Sequence, residues 1–94
     1  MSSRQPSSKP DLYVVARIVK ELSDKGSMKR TQLATATRLS YDVLVRYLGW
    51  MDEKGFVRMD GEENIVLTEE GHDVYERLVE WILEYVGKLR FPRF

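Results

Sequence analysis

Arg38 and Arg46 stand eight positions apart with Ser40 and Tyr41 between them, and Lys29, Arg30, Thr31 and Gln32 lie just upstream. Guanidinium groups are planar, permanently charged donors that grip phosphate oxygens and the major-groove edge of guanine. Hydroxyls, an amide and an aromatic ring add short-range donors and a stacking face. This set is suited to gripping a polyanion, not to making or breaking bonds. No nucleophile is flanked by a base, no glycine-rich phosphate loop is present, and no carboxylate pair has a histidine partner at workable spacing. His72 is the only histidine and cysteine is absent, so neither a His/Cys metal cluster nor a thiolate site can form. The expectation is a binding protein with no catalytic residues, metal or cofactor.

The elements that must position these residues follow from periodicity and punctuation. Asp11 reads as the N-cap of a first helix, whose apolar positions Leu12, Val15, Ile18, Val19 and Leu22 recur at helical spacing up to Gly26. Thr31 reads as the N-cap of a second helix burying Leu33, Ala34 and Thr37; Ala34 is small where two helices cross closely. Leu39 plugs the turn, and Ser40 caps a third helix from about Tyr41 to Lys54, ended by Gly55. Its inward stripe is Leu44, Tyr47, Leu48 and Met51, and its outward face is Asp42, Val45, Arg46, Gly49 and Glu53. Phe56–Met59 and Asn64–Leu67 flank Asp60-Gly61-Glu62-Glu63 as a hairpin. Thr68 then caps a last helix from about Glu69 to Leu89. Met28, Met51 and Met59 read as packing residues and His72 as a surface residue.

Helix, tight turn, helix, hairpin, helix is the order of the winged helix-turn-helix: mainly α with a small β-hairpin, and here a long C-terminal dimerisation helix. In that scaffold the third helix, about 41–54, is presented to a DNA major groove. Its candidate contacts are Lys29, Arg30, Thr31, Gln32, Arg38, Ser40, Tyr41, Arg46 and Arg58. The domain reading is a Ser/Pro-rich basic arm at 1–10, disordered when free, the winged-helix domain at 11–68, the dimerisation helix at 69–89 and a tail at 90–94.

The last helix carries more apolar surface than one small core can cover. At about 100° per residue its apolar side chains sweep an arc of about 200°, whereas a stripe somewhat above 100° serves an ordinary amphipathic helix. Two interleaved stripes are visible, Val74, Leu78, Trp81, Tyr85 and Tyr75, Val79, Ile82, Val86. One can cover the chain's own core and the other a second copy, which makes Tyr75, Leu78, Val79, Trp81, Ile82, Tyr85, Val86 and Leu89 the expected homodimer interface.

Thr37-Arg38-Leu39-Ser40-Tyr41, Arg46-Tyr47-Leu48, Lys54-Gly55-Phe56-Val57 and Leu67-Thr68-Glu69-Glu70-Gly71 together resemble small archaeal winged-helix regulators. In particular they are similar to the chromatin-type members that end in a long helix forming an antiparallel coiled-coil dimer. The resemblance spans roughly residues 12–89. It implies double-stranded DNA as partner, a homodimer, the third helix in the major groove with Ser40, Tyr41 and Arg46 facing it, and the wing near a minor groove. Such relatives bear more cations on that face; here Asp42, Asp52 and Glu53 intervene.

Charge qualifies the picture. Fifteen Lys/Arg balance fifteen Asp/Glu, net zero, whereas nucleic-acid-binding domains are commonly basic. Residues 1–30 hold seven cations against three anions, and residues 55–70 one cation against five anions, giving a basic front and an acidic wing. An acidic wing also suits a rival class, a winged-helix protein-interaction module without nucleic acid. No apolar run approaches the roughly 20 residues that span a bilayer, and the N-terminus lacks a secretory apolar segment. A cytoplasmic protein with no membrane partner is expected.

Overall fold

The computed structural model describes residues 10–81. The expected arm up to residue 9, the helix positions beyond Trp81 and the tail lie outside the described residues. The elements are α1 (Leu12–Lys25), α2 (Arg30–Thr37), α3 (Tyr41–Glu53), β1 (Val57–Met59), β2 (Ile65–Leu67) and α4 (Glu69–Trp81). They make a winged helix: three helices around one core, a two-stranded wing and a fourth helix laid against α1.

Each helix starts and stops on local chemistry. Asp11 accepts the Tyr13 amide at 2.8 Å, and the Gly26 amide donates to Leu22 O at 2.8 Å to close α1. The α2 start differs from the expected one. Lys29, not Thr31, occupies the cap, because Gln32 reaches back and its Oε1 accepts the Lys29 amide at 3.0 Å. Thr31 is thus the second residue of the helix. Ser40 does cap α3, its Oγ accepting from the Val43 amide at 3.2 Å.

The core is built from Val15, Ile18, Val19 and Leu22 of α1, Leu33 and Ala34 of α2, Leu44, Leu48 and Met51 of α3, and Met28, Val57, Ile65 and Leu67 around the wing. Two expected core positions behave otherwise. Leu12, in the first turn of α1, is 59% exposed. Tyr47 is half-buried, its ring packed on the core while its hydroxyl accepts the Asp11 amide at 2.9 Å, pinning the start of α1 to α3.

α3 ends in a Schellman turn: the Gly55 amide donates to Asp52 O at 2.9 Å and the Phe56 amide to Met51 O at 2.8 Å. Gly55 takes φ +80°, which an L side chain resists. Phe56 then packs edge-on to Trp50 with ring centroids 5.9 Å apart, the apolar contact that accompanies this motif. The wing is antiparallel, pairing Val57 with Leu67, Arg58 with Val66 and Met59 with Ile65. It has a third partner: Met28 exchanges two backbone hydrogen bonds with Ile65, at 3.1 and 2.7 Å.

α4 begins where that turn ends. The Thr68 amide donates to Phe56 O at 3.0 Å, its hydroxyl donates to Gly55 O, and the same oxygen accepts the Gly71 amide at 3.0 Å, as expected of the cap. Tyr75 and Leu78 reach the core. Among the described residues they represent one member of each of the two expected stripes.

Gly71 is buried, and a Cβ there would lie 2.0 Å from the Phe56 carbonyl oxygen and 2.9 Å from Leu67 Cδ2. Alanine is intrinsically the better helix former, so the sign of a substitution separates propensity from packing. Gly71→Ala is expected to lower stability by about 2 kcal/mol or more, at the upper end of overpacking effects. The measurement is the urea midpoint; an unchanged or raised midpoint would contradict the abutment.

Candidate nucleic-acid interface

The turn between α2 and α3 sets where the outward side of α3 points. The Arg38 and Leu39 amides donate to Thr35 O at 3.2 Å and Ala34 O at 3.0 Å, closing α2 in a second Schellman arrangement. Its left-handed residue is Arg38, at φ 63°, where glycine is the usual choice. Left-handed geometry is unfavourable for a side-chain-bearing residue by about 1–2 kcal/mol. Leu39 half-buries against the core, leaving the Arg38 side chain exposed at the corner. Thr37 is buried at 2% exposure, its hydroxyl donating to Leu33 O at 2.7 Å, and its carbonyl accepts the Arg17 guanidinium.

Three depressions lie over this region. The first, a groove of about 220 Å³ between α3 and the wing, is lined by Arg30, Arg58, Val45, Gly49, Asp52 and Met59 with core side chains beneath. The second is an open hollow on α3 formed by Tyr41, Asp42, Val45 and Arg46. The third lies on α2 between Thr31, Gln32, Thr35 and Ala36. The structure thus pairs Arg30 with Arg58, Tyr41 with Arg46, and Thr31 with Gln32, placing Arg38 and Ser40 at the corner between α2 and α3. No helix or strand among the described residues covers Arg46, Tyr41 or Ser40, all of which are exposed.

The described lysines of the basic front are engaged locally. Lys20 pairs with Asp24 at 2.8 Å and Lys25 with Glu21 at 3.3 Å, each one turn apart on α1. Lys29, expected at phosphate, extends its ammonium to the wing, donating to Glu62 O and Asn64 Oδ1 at 3.1 Å each. Among the described residues, Arg17, Lys20, Lys25 and Lys29 of the basic front thus have partners within the chain. By contrast the guanidinium groups of Arg30, Arg38, Arg46 and Arg58 have no hydrogen-bond or ion-pair partner among the described residues. Asp42, one turn before Arg46, makes no ion pair with it.

Three residues of this surface were not signalled as site residues by their chemistry. Val45 and Gly49 lie on the outward face of α3, and Met59, expected to pack, is 45% exposed at the groove. Val45 lines both the groove and the hollow. The available signal was positional: apolar residues on the polar side of an amphipathic helix. His72 is exposed, and no cluster of metal-ligating side chains occurs among the described residues. Nor is any helix among them long and apolar enough to cross a membrane.

The class is that of a winged helix whose third helix is open on its outward side. The family comparison agrees: the winged helix-turn-helix model matches residues 11–85, and the chain belongs to that family. The fold is similar to that of a solved MarR family transcriptional regulator from Silicibacter pomeroyi, with TM-score 0.69 and 25% identity. The match covers 81% of this chain and 57% of the other, so the chain spans little more than half of that protein. No curated protein matches the sequence.

The wing tip is ordered by one carboxylate. Asp60 Oδ1 accepts the amides of Glu62 at 2.8 Å and Asn64 at 2.9 Å, and Glu63 takes φ 66° to close the loop. The Asn64 and Glu62 amides, followed by the charge of Lys29, hold the Asp60 pKa below its usual value. A depressed carboxylate contributes order that is complete above the unfolded pKa and lost as pH falls through the folded one. The Glu62 and Asn64 amide resonances are therefore expected to move together in a transition below pH about 3.9, and Asp60→Ala is expected to abolish it. A transition at or above the ordinary carboxylate value would contradict the role given to Asp60.

Proposed function

We propose that the chain is a DNA-binding winged-helix homodimer, a transcriptional regulator or chromatin-type protein, with α3 in the major groove and copies held together through α4. The observation that carries this is the outward side of α3, where Arg46, Tyr41 and Ser40 are exposed and the guanidinium has no partner among the described residues. Arginine with free donors on a helix of this width is the commonest reader of guanine in the major groove. Arg38 at the corner, Arg30 and Arg58 flanking the groove, and Thr31 and Gln32 on α2 suit phosphate contacts beside α3. The likeness to a transcriptional regulator supports the same reading.

The pairing of copies rests on α4. Val79 is half-buried and Trp81 is 54% exposed. The remaining expected interface residues, Ile82, Tyr85, Val86 and Leu89, lie outside the described residues. Paired α4 helices would set the separation of two α3 helices and so the spacing of half-sites. The acidic wing tip, with Asp60, Glu62 and Glu63, favours one rival reading, a protein-interaction module. In the DNA reading that tip stands off the phosphates, and Arg58 on β1 makes the wing's contact.

Titration of duplex DNA at two salt concentrations, followed by fluorescence anisotropy, separates the two. A complex that weakens with salt is expected. Arg46→Ala is expected to relax base preference with a loss of about 1–3 kcal/mol. Arg38→Gly, which relieves the left-handed corner, is expected to keep the fold and weaken all sequences alike, reducing the salt slope by about one. Absence of any complex at low salt would leave the interaction module. Sedimentation equilibrium at micromolar concentration is expected to give twice the 11.0 kDa chain mass; a monomer would refute the role of α4.

A further inference from the structure

Nothing among the described residues explains Gly49. It sits in the middle of α3 on the exposed side, and a Cβ built there meets no atom within 4 Å. A mid-helix glycine destabilises the helix relative to alanine, because the unfolded chain has more freedom to lose. One turn earlier is an equally unexplained neighbour, Val45, a β-branched apolar side chain 39% exposed on the same face. Val45 forms the ridge between the groove that holds Arg30 and Arg58 and the hollow that holds Arg46. An apolar knob and an adjacent vacant notch, fenced by arginines on both sides, match a surface that is polyanionic at its edges and carries isolated apolar groups at its floor. The major groove has that character: phosphates at the rims and the thymine C5-methyl as its apolar feature. The arginines at Arg30, Arg46 and Arg58 around this apolar feature favour the polyanion over a protein partner.

We propose that α3 reads thymine through Val45, whose side chain packs against a thymine methyl, and that the missing side chain at Gly49 lets the helix lie deep enough for that contact. The inference rests on the DNA reading above and adds a specificity determinant to it. Arg46 and Val45 are adjacent, so the thymine read by Val45 neighbours the base read by Arg46 within the half-site.

The test begins with duplexes enriched from a random pool by the full chain. Replacing every thymine of the enriched duplex by deoxyuridine removes only methyl groups. Binding is expected to weaken roughly fourfold for each methyl buried. Val45→Ala is expected to show a similar loss on thymine DNA and no further loss on uracil DNA, the signature of a shared contact. Gly49→Ala is expected to give opposite signs in two readouts. Its melting temperature rises by roughly 4–8 °C, while its affinity falls about tenfold or more.

Unchanged affinity on uracil DNA, or a uracil penalty that persists in Val45→Ala, overturns the thymine contact. A Gly49→Ala protein that binds as tightly as the parent, or is less stable than it, overturns the clearance role. If no duplex is enriched, the DNA reading itself fails and the inference with it. Enrichment with an Arg46→Ala effect but no methyl effect leaves the DNA reading standing and sinks only this proposal.

Discussion

The fold turns on two residues at the end of α3. Gly55 can reverse the chain because it accepts a positive φ, and Phe56 follows it with an amide that closes back on Met51. The carbonyl groups that this reversal turns outward, those of Gly55 and Phe56, are the ones that Thr68 satisfies with its hydroxyl and amide. Gly71 then lets α4 rest directly against the Phe56 carbonyl. Four elements therefore meet at one short piece of backbone: α3 ends there, β1 leaves, β2 returns and α4 departs. Backbone hydrogen bonds of this kind fix angles more tightly than apolar packing does, since each has one partner and one direction. The direction of α4 relative to α3 follows from them.

The outward side of α3 is set from its other end. The left-handed Arg38 and the Ser40 cap determine where the helix begins and how it is rotated. With Leu44, Leu48 and Met51 committed to the core, rotation is no longer free, and Arg46, Val45 and Gly49 are left outside together. The exposed face is thus a by-product of core packing. What distinguishes it is that four arginines near it remain unsatisfied among the described residues, while neighbouring lysines are tied up locally.

Much of this was legible in the sequence because it depends on short-range signals. Periodicity marked α1 and α3, Gly26 and Gly55 marked their ends, and Asp60-Gly61 marked the wing. The misjudged points each depend on a contact distant in sequence or on a reach-back that competes with a stronger local signal. Thr31 looked like a cap, but Gln32 satisfied the Lys29 amide and moved the helix start two residues earlier. Tyr47 looked buried from its spacing, and only the position of Asp11, 36 residues away, draws its hydroxyl outward. Of the two α4 stripes, the described residues place one member of each, Tyr75 and Leu78, against the core. Site residues chosen by donor chemistry passed over Val45 and Gly49, since neither carries a polar atom on its side chain.

The reach of Lys29 changes how the molecule looks to a distant charge. Counted along the chain, the front is positive and the wing negative, which suggests a sizeable dipole moment. In three dimensions the Lys29 ammonium lies on the wing loop close enough to Asp60 to depress its pKa, and two further lysines face carboxylates one turn away. Opposite charges placed so near one another cancel beyond about a Debye length, near 10 Å at 0.1 M salt. These three lysines therefore add little to the field felt far from the surface, however positive the sequence looks around them.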